Sequence, residues 1–369
     1  MRLHEHEAAR LFQQAGIPVP PFAVARTGDE AVAALERVQL PIVIKAQVLV
    51  GSRGKHGGIV VAETPEEVRE KARALLGSSV RGLSVESVMV ARKVSIGREL
   101  YVGATIDPAA GAITVILGVV GGIDVETIAH ERPEALFRLT VVPPDELRGY
   151  QARALAHEAG FRGDLMVKIA DVLVSLFRVF RKTDALIAEV NPLVVTADEA
   201  LWAVDAVLDV DDSALFRHPE LPGDSLARME HPLERAAKQI GVSYVDLDGD
   251  IAIISSGAGL GMATMDVVGQ RLRPANFLET GGGITEELMY KVTQLVLEKP
   301  GVRGLLINLY GGINPIHEGA KGVVRVLREK QVKIPVVAKA LGNRQEETWA
   351  TLSEGGVTVV TDITTEAAV

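Results

Sequence analysis

The chain has 369 residues, 47% hydrophobic and 24% charged, which is enough for two or three domains, each with its own core. A net charge of −9 argues against a nucleic-acid-binding surface, which needs clustered Lys and Arg. The absence of cysteine excludes disulfides, thiolate metal sites and a Cys nucleophile, and it fits a reducing compartment.

The opening residues, Met1 to Glu7, carry acid within the first turn and lack the apolar run of a signal peptide. The longest apolar stretches, such as Ile42 to Val50, are too short to span a bilayer. A soluble cytoplasmic protein with no membrane and no nucleic-acid partner is the expectation.

Leu3 to Gln14 has helical spacing and stops at Gly16 and Pro18. Thr27 with Glu30 three residues on is a capping-box pattern, and Thr64 before Pro65 opens another helix. Ile42 to Val48 is a β-rich run. The glycine-rich stretch Gly51 to Gly58 follows, and then Ile59-Val60-Val61, so this segment predicts a flexible hairpin. Two more strands flank the turn Asp107 to Gly111. Tyr150 to Ala159 and Leu165 to Arg181 read as helices. A second hairpin runs from Ala185 to Val195 and back from Leu201 to Leu208. Strands and helices mix here without strict alternation, which indicates an α+β region.

Near residue 225 the pattern changes. Ser225 to Ile240 reads as a polar connecting helix, and a domain boundary is expected between 225 and 245, near 230/231. Strand, glycine loop and helix then alternate through Ile251–Ile254, Ala275–Leu278, Leu305–Leu309, Ile334–Ala338 and Val357–Val360. Five such strands predict an α/β, doubly wound parallel sheet with ligand loops at its carboxyl edge. The last residues, to Val369, enter a final helix.

Lys45 lies inside the apolar strand Pro41 to Ala46, where burial is costly unless an anion meets it. Outward-facing exposure is the simpler reading for a lone lysine. The hairpin beyond it, with Arg53 and Lys55 on a glycine-rich backbone, adds what a phosphate lid needs. In the second hairpin the turn near Asp198 sets Asn191 almost opposite Asp205. Glu189, Asn191 and Asp205 should therefore project to one face. A carboxylate and an amide oxygen, with phosphate oxygens and water, make a hard-oxygen Mg²⁺ site. Gly257-Ala258-Gly259 precedes a helix start, so its amides and the helix dipole face one point, as an anion site requires.

Three features count for less. His4 and His6 are two apart and should diverge on a helix, which disfavours a metal site. The stripe Val172, Leu173, Leu176, Phe177 and Phe180 reads as core. His317 could act in catalysis, but it reads first as a helix-start neighbour.

These segments resemble the β subunit of succinate–CoA ligase (succinyl-CoA synthetase). The resemblance rests on Leu3-His4-Glu5, Val43 to Val48, Arg53-Gly54-Lys55 with Gly57-Gly58, and Glu99-Leu100-Tyr101. It continues through Ala188 to Val194, Ser213 to Pro219, Gly257 to Leu260 and Pro274 to Leu278. It implies an ATP-grasp fold over residues 1–230 and a flavodoxin-like CoA-ligase domain over 231–369. It implies an ADP-forming acid–thiol ligase of the tricarboxylic acid cycle, working as a hetero-oligomer with CoA and with Mg-ATP or GTP. Nucleotide would phosphorylate a histidine of an α-type subunit, the phosphohistidine would make an acyl phosphate, and CoA would displace phosphate.

By motif match, Lys45, Ser52, Arg53, Gly54 and Glu99 would hold nucleotide, and Asn191 and Asp205 would hold Mg²⁺. Glu189 would sit near the phosphohistidine. Ser256, Gly257, Gly259, Gly312, Ile313 and Asn314 would form the substrate and phosphate loops.

The chain departs from the family pattern in four places. Ala91 replaces a hinge Glu, Ser52 a Gly and Ser256 an Asn, and the loop Asn314 to His317 lacks the usual Arg and Asp. The resemblance implies succinate or a related acid as substrate, with malate as the alternative. Pro315 and the missing Arg give poorer recognition of a second carboxylate, so succinate is not expected to be the best substrate. A weakened nucleotide-binding paralogue is the further alternative.

Overall fold

A computed structural model describes every residue except Ser52, Glu230, Asn314 and Pro315. The chain divides into two compact units, Met1–Gly223 and Asp224–Val369.

The first unit holds two antiparallel sheets. One has four strands in the order Phe22–Ala25, Val88–Arg92, Ile42–Ala46, Ile59–Ala62. Ile42, Ile44 and Val90 pack on one side with Val68, Ala72 and Leu75 of the helix Pro65–Leu76. That helix starts where Thr64 accepts the Glu67 amide at 3.2 Å, and Thr27 caps the helix Gly28–Ala33 in the same way at 3.1 Å. Glu30 reaches back to the amide of Arg26, one residue before the cap, so the box closes one position early.

The other sheet runs Leu201–Ala203, Ala185–Val195, Arg98–Asp107, Ala112–Gly118, Leu136–Val141, with Val207–Val210 also paired to the long strand Ala185–Val195. The stripe Val172, Leu173, Leu176, Phe177 and Phe180 of the helix Gly163–Lys182 is fully buried in the core, as its spacing predicts. Each such side chain contributes about 1.5–3 kcal/mol through apolar burial.

The second hairpin keeps its expected register across a break. Leu193 pairs Ala203 and Glu189 pairs Val207, but residues 204–206 leave the ladder. The break lies opposite Pro192, which has no amide hydrogen to donate. The N-terminal segment is stitched to the returning strand: the Leu3 amide donates to Leu208 at 3.0 Å and the Val210 amide to Met1 at 2.9 Å. The helix Glu5–Gln14 follows directly.

The second unit is a six-stranded sheet in the order Ser243–Asp246, Asn276–Glu279, Ile251–Ser255, Gly304–Gly311, Val336–Gly342, Thr358–Val360. The five strands expected from the alternation are present and parallel. The sixth, Ser243–Asp246, is an antiparallel edge strand, so the sheet is mixed, not purely parallel. At four residues next to an Asp/Gly-rich turn, it carries little periodic signal.

The connecting helix is also shorter than expected. Residues 225–228 form turns and the helix runs Pro232–Ile240. Proline fits at the first helical position but not inside a helix, so Pro232 sets the start. A short 3₁₀ turn, Glu366–Ala368, stands where a final helix was expected. Among the described residues no helix is long and apolar enough to cross a membrane.

Candidate functional site

A cleft of about 720 Å³ opens within the first unit, inside the size range of small-molecule sites. One part of its wall is apolar, with Val43, Met89, Ala91, Val94 and Ile96. Another is ionic, with Glu5, Lys45, Arg53, Glu189, Asn191 and Asp205.

Lys45 is buried at 7% exposure, so the outward-facing reading is wrong. Its Nζ donates to Glu5 Oε1 at 2.6 Å and to the carbonyl of Val204, which the ladder break leaves free. Arg53 lies on a 3₁₀ turn, Arg53–His56, not on a loose flap. It is buried, donates to the Ala46 carbonyl at 3.0 Å, and pairs with Glu5 Oε2 at 2.7 Å and Asp205 Oδ1 at 3.0 Å. Lys55 is the exposed cation of this segment, 3.8 Å from Asp124.

Glu5 is the centre of this cluster. Burial alone would raise its carboxyl, but Lys45 and Arg53 outweigh that and hold it below the ordinary carboxylate range. Asp205 moves the other way. Burial in the cleft raises its carboxyl and the charge of Glu5 adds to this, with Arg53 and Lys45 opposing. Asp205 Oδ1 also accepts the Ala206 amide at 2.9 Å, while Oδ2 has no hydrogen-bond partner among the described residues.

Asn191 and Glu189 line the same cleft. The Asn191 amide closes on the loop after the strand Ala112–Gly118: its Oδ1 accepts the Gly122 amide at 2.8 Å and its Nδ2 donates to Ile123 at 2.9 Å. This close approach needs glycine. A Cβ at Gly121 would stand 2.4 Å from the Leu100 carbonyl, and one at Gly122, where φ is +76°, would stand 2.8 Å from the Glu99 carboxylate. Glu189 accepts from the Tyr101 hydroxyl at 3.4 Å. Its carboxyl is raised by burial, with a hydrogen bond from Asn191 opposing and the charge of Asp205 reinforcing. Burial and the neighbouring Glu189 likewise raise the Tyr101 phenol.

The donor set suits a hard cation, since Asp205, Asn191 and Glu189 all offer oxygen. Among the described residues no group of three or more His, Asp or Glu forms a ready metal cage, so such an ion would also need substrate oxygens or water.

In the second unit, Gly257 has φ +97° and caps the helix Ala258–Gly269. The Ser256 hydroxyl accepts the Tyr310 amide at 2.8 Å and donates to the Tyr310 carbonyl at 3.2 Å. That bond ties the Gly257 loop to the segment bearing Gly312 and Ile313. A Cβ at Gly259 would meet nothing within 4 Å, and Ile313 is exposed. The open space leaves room for a ligand at both loops.

The structure thus gathers Lys45, Arg53, Gly54, Glu99, Glu189, Asn191 and Asp205 around one cleft, and Ser256, Gly257, Gly259, Gly312 and Ile313 around a second set of loops. Ser52 and Asn314 lie outside the described residues. His4 and His6 do not diverge: their rings stack 5.8 Å apart, because His4 is the extended cap residue and not part of the helix. His6 Nδ1 faces Gln47 Oε1 at 2.8 Å. His317 is the buried first residue of the helix His317–Glu329, 2.9 Å from Glu318.

Glu5 and Gly122 line the cleft without having been assigned to it by the sequence reading. A signal for Glu5 exists: it falls in register with buried Ala8, Ala9 and Phe12, a charge on an apolar stripe.

Comparison with known proteins agrees with both halves of this architecture. The ATP-grasp domain family matches residues 2–195 and the CoA-ligase family residues 254–369. The chain is 45% identical over 348 residues to the GDP-forming succinate–CoA ligase subunit beta of Thermus thermophilus, covering 94% of this chain and 92% of that protein. It is 39% identical over 361 residues to the ADP-forming subunit beta of Roseiflexus sp. (strain RS-1), covering 97% and 95%. Among solved structures, ATP citrate lyase of Methanothrix soehngenii, in complex with citrate and coenzyme A, shares the fold with a TM-score of 0.62 at 18% identity, covering 97% and 95%. Two antiparallel sheets around an ionic cleft, a mostly parallel sheet with glycine loops, and this level of identity lead to one conclusion: the chain belongs to the succinate–CoA ligase β-subunit family, the ATP-grasp, nucleotide-binding subunits of acyl-CoA ligases.

Proposed function

We propose that the cleft of the first unit binds Mg²⁺ and a purine nucleoside triphosphate, and that the chain passes the γ-phosphoryl group to a histidine of a separate α-type subunit. The observation that carries this reading is the convergence of Lys45 and Arg53 with Asn191 and Asp205 in one cavity. The apolar wall suits the base, and the ionic wall suits the phosphates. Lys45, Arg53, Gly54 and Ser52 would meet phosphate oxygens, and Glu99 the nucleotide. Asp205 and Asn191 would hold Mg²⁺, which neutralises phosphate charge. Glu189, with its raised carboxyl, would stand where the partner's phosphohistidine arrives.

The Gly257 loop and the Gly312-Ile313 segment would take phosphate and CoA, with amides and a helix N-terminus as donors. We assign the ATP-grasp part to residues 1–230 and the CoA-ligase part to 231–369. The named relatives point to succinate as the acid and to both ATP and GTP as nucleotides. Malate is the alternative acid to test. A cytoplasmic hetero-oligomer is the assembly proposed.

The test has two arms. Titration calorimetry should show Mg-ATP or Mg-GTP binding to the chain alone, with no acyl-CoA formed from nucleotide, CoA and acid. Adding the α-type subunit should start turnover, and a panel of acids and both nucleotides then ranks the substrates. Acyl-CoA made by the chain alone would refute the two-subunit reading.

A further inference from the structure

We infer that Glu5 is a positioning residue of the phosphate site: its one buried carboxylate fixes Lys45 and Arg53 at the cleft and joins the two sheets that form it. The inference rests on the nucleotide-binding reading above and adds a residue to it. Four observations carry it.

The carboxylate is divided between the two cations, Oε1 at 2.6 Å from Lys45 and Oε2 at 2.7 Å from Arg53, with the Glu5 side chain only 2% exposed. The residue is delivered from the far sheet. Met1 and Leu3 pair with Val207–Val210, just beyond Asp205, whereas Lys45 belongs to the four-stranded sheet. The junction is doubled next door, where His6 donates its amide to Gln47 Oε1 at 3.0 Å. Finally, Lys45 has three N–H donors, and Glu5 and the Val204 carbonyl take two of them. One donor direction remains, and it is set by the other two.

The charges explain why a second acid is needed beside Asp205. The charged groups around Lys45 are Glu5 from the N-terminal helix, Arg53 from the 3₁₀ turn and Asp205 from the ladder break. Its ladder neighbours, Ile59 and Met89, are apolar. Arg53 is paired with both acids in this state. When Asp205 turns to a cation, Arg53 loses one partner, and Glu5 remains as the fixed counter-charge that keeps two buried cations side by side.

Titration calorimetry of the full chain with Mg-ATP and Mg-GTP tests this. Glu5→Gln should weaken binding tenfold or more. Lys45→Met should weaken it as well, and the Glu5→Gln/Lys45→Met pair should lose less than the sum of the two single losses, because part of the Glu5 effect acts through Lys45. Glu5→Asp, which keeps the charge but shortens the reach, should fall between wild type and Glu5→Gln. Additive losses in the pair, or Glu5→Asp binding as wild type, would overturn the positioning role, since a merely structural residue shows no such coupling. Glu5→Gln binding as tightly as wild type would also overturn it while leaving the nucleotide reading intact. A wild-type chain that binds neither nucleotide would instead refute the functional reading. Melting curves establish that each variant is folded; should Glu5→Gln unfold, the Glu5→Asp comparison decides.

Discussion

The two units build their proposed phosphate sites in opposite ways. In the first, the wall is made of side chains: two buried cations, three acids and an amide, drawn from segments far apart in the chain, with ion pairs of 2.6 to 3.0 Å among them. In the second, the wall is made of backbone. Gly257 and its neighbours offer amides at a helix start, and side chains such as Ser256 serve mainly to tie one loop to the next. A side-chain site is exacting in residue identity and depends on charge balance. A backbone site is exacting in conformation and tolerates identity wherever space is open. The contrast predicts which substitutions each region withstands.

The largest effect on nucleotide affinity is expected at Asp205. Asp205→Ala removes a proposed metal ligand and a partner of buried Arg53. Mg-nucleotide affinity should fall about 100-fold, which is about 2.7 kcal/mol. The readout is calorimetry, with Arg303→Ala, on the exposed surface of the second unit, as the control expected to bind normally. Equal loss in both variants would erase the distinction between the regions.

Next comes the acid limb of stability, which sharpens the side-chain half of the comparison. The Glu5 carboxyl sits below its ordinary value of 4.5 in the folded chain. Folding therefore favours the ionised form, and the stabilisation is present above about pH 4.5 and lost as pH falls through the lowered folded value. Glu5→Gln should cost about 3 kcal/mol near neutral pH, the range for breaking a buried pair. Its deficit relative to wild type should shrink on acidification, as followed by urea melts at a series of pH values. A deficit constant with pH would mean the ion pairs add nothing.

Gly257→Ala probes the backbone half. The added Cβ would meet nothing within 4 Å, so the cost arises only from φ +97°, of order 1–3 kcal/mol of local strain. Acyl-CoA formation by the reconstituted complex should drop, while nucleotide affinity of the chain stays within about twofold. A matching loss of nucleotide binding would show that the units are not separable in this respect.

The smallest effect is expected at Lys55. Its 3.8 Å pair with Asp124 is exposed, and such pairs contribute about 0–1 kcal/mol. Lys55→Ala should change nucleotide affinity less than about fivefold, in contrast to Arg53 two residues earlier. An effect as large as that of Asp205→Ala would make Lys55 a true phosphate ligand.

Much of this architecture is legible in local patterns. The stripe Val172 to Phe180, the caps at Thr27 and Thr64, and the alternation after residue 250 follow from spacing alone, because each depends on neighbours within one or two turns. The register that sets Asn191 against Asp205 also follows from the hairpin count, since pairing on either side of the break keeps one sum. The edge strand Ser243–Asp246 is too short to show a period. The start of the connecting helix is not legible, because polar residues before Pro232 fit a helix by composition while proline sets its boundary.

What the sequence by itself determined, then, is the order of most elements, the two-part organisation, the glycine loops and most of the charged residues that line the cleft. Tertiary structure alone decided the partners. Lys45 and Glu5 are 40 positions apart and Arg53 and Asp205 are 152 apart, so no periodicity links them. The ladder break that frees the Val204 carbonyl exists only once Pro192 faces it across the sheet. Folding then gathers four ordinary charges into one cluster, in which Lys45 and Arg53 outweigh burial to lower the Glu5 carboxyl while burial raises that of Asp205. Charge pairing acts through space in a low-dielectric interior, and only the folded chain fixes those distances.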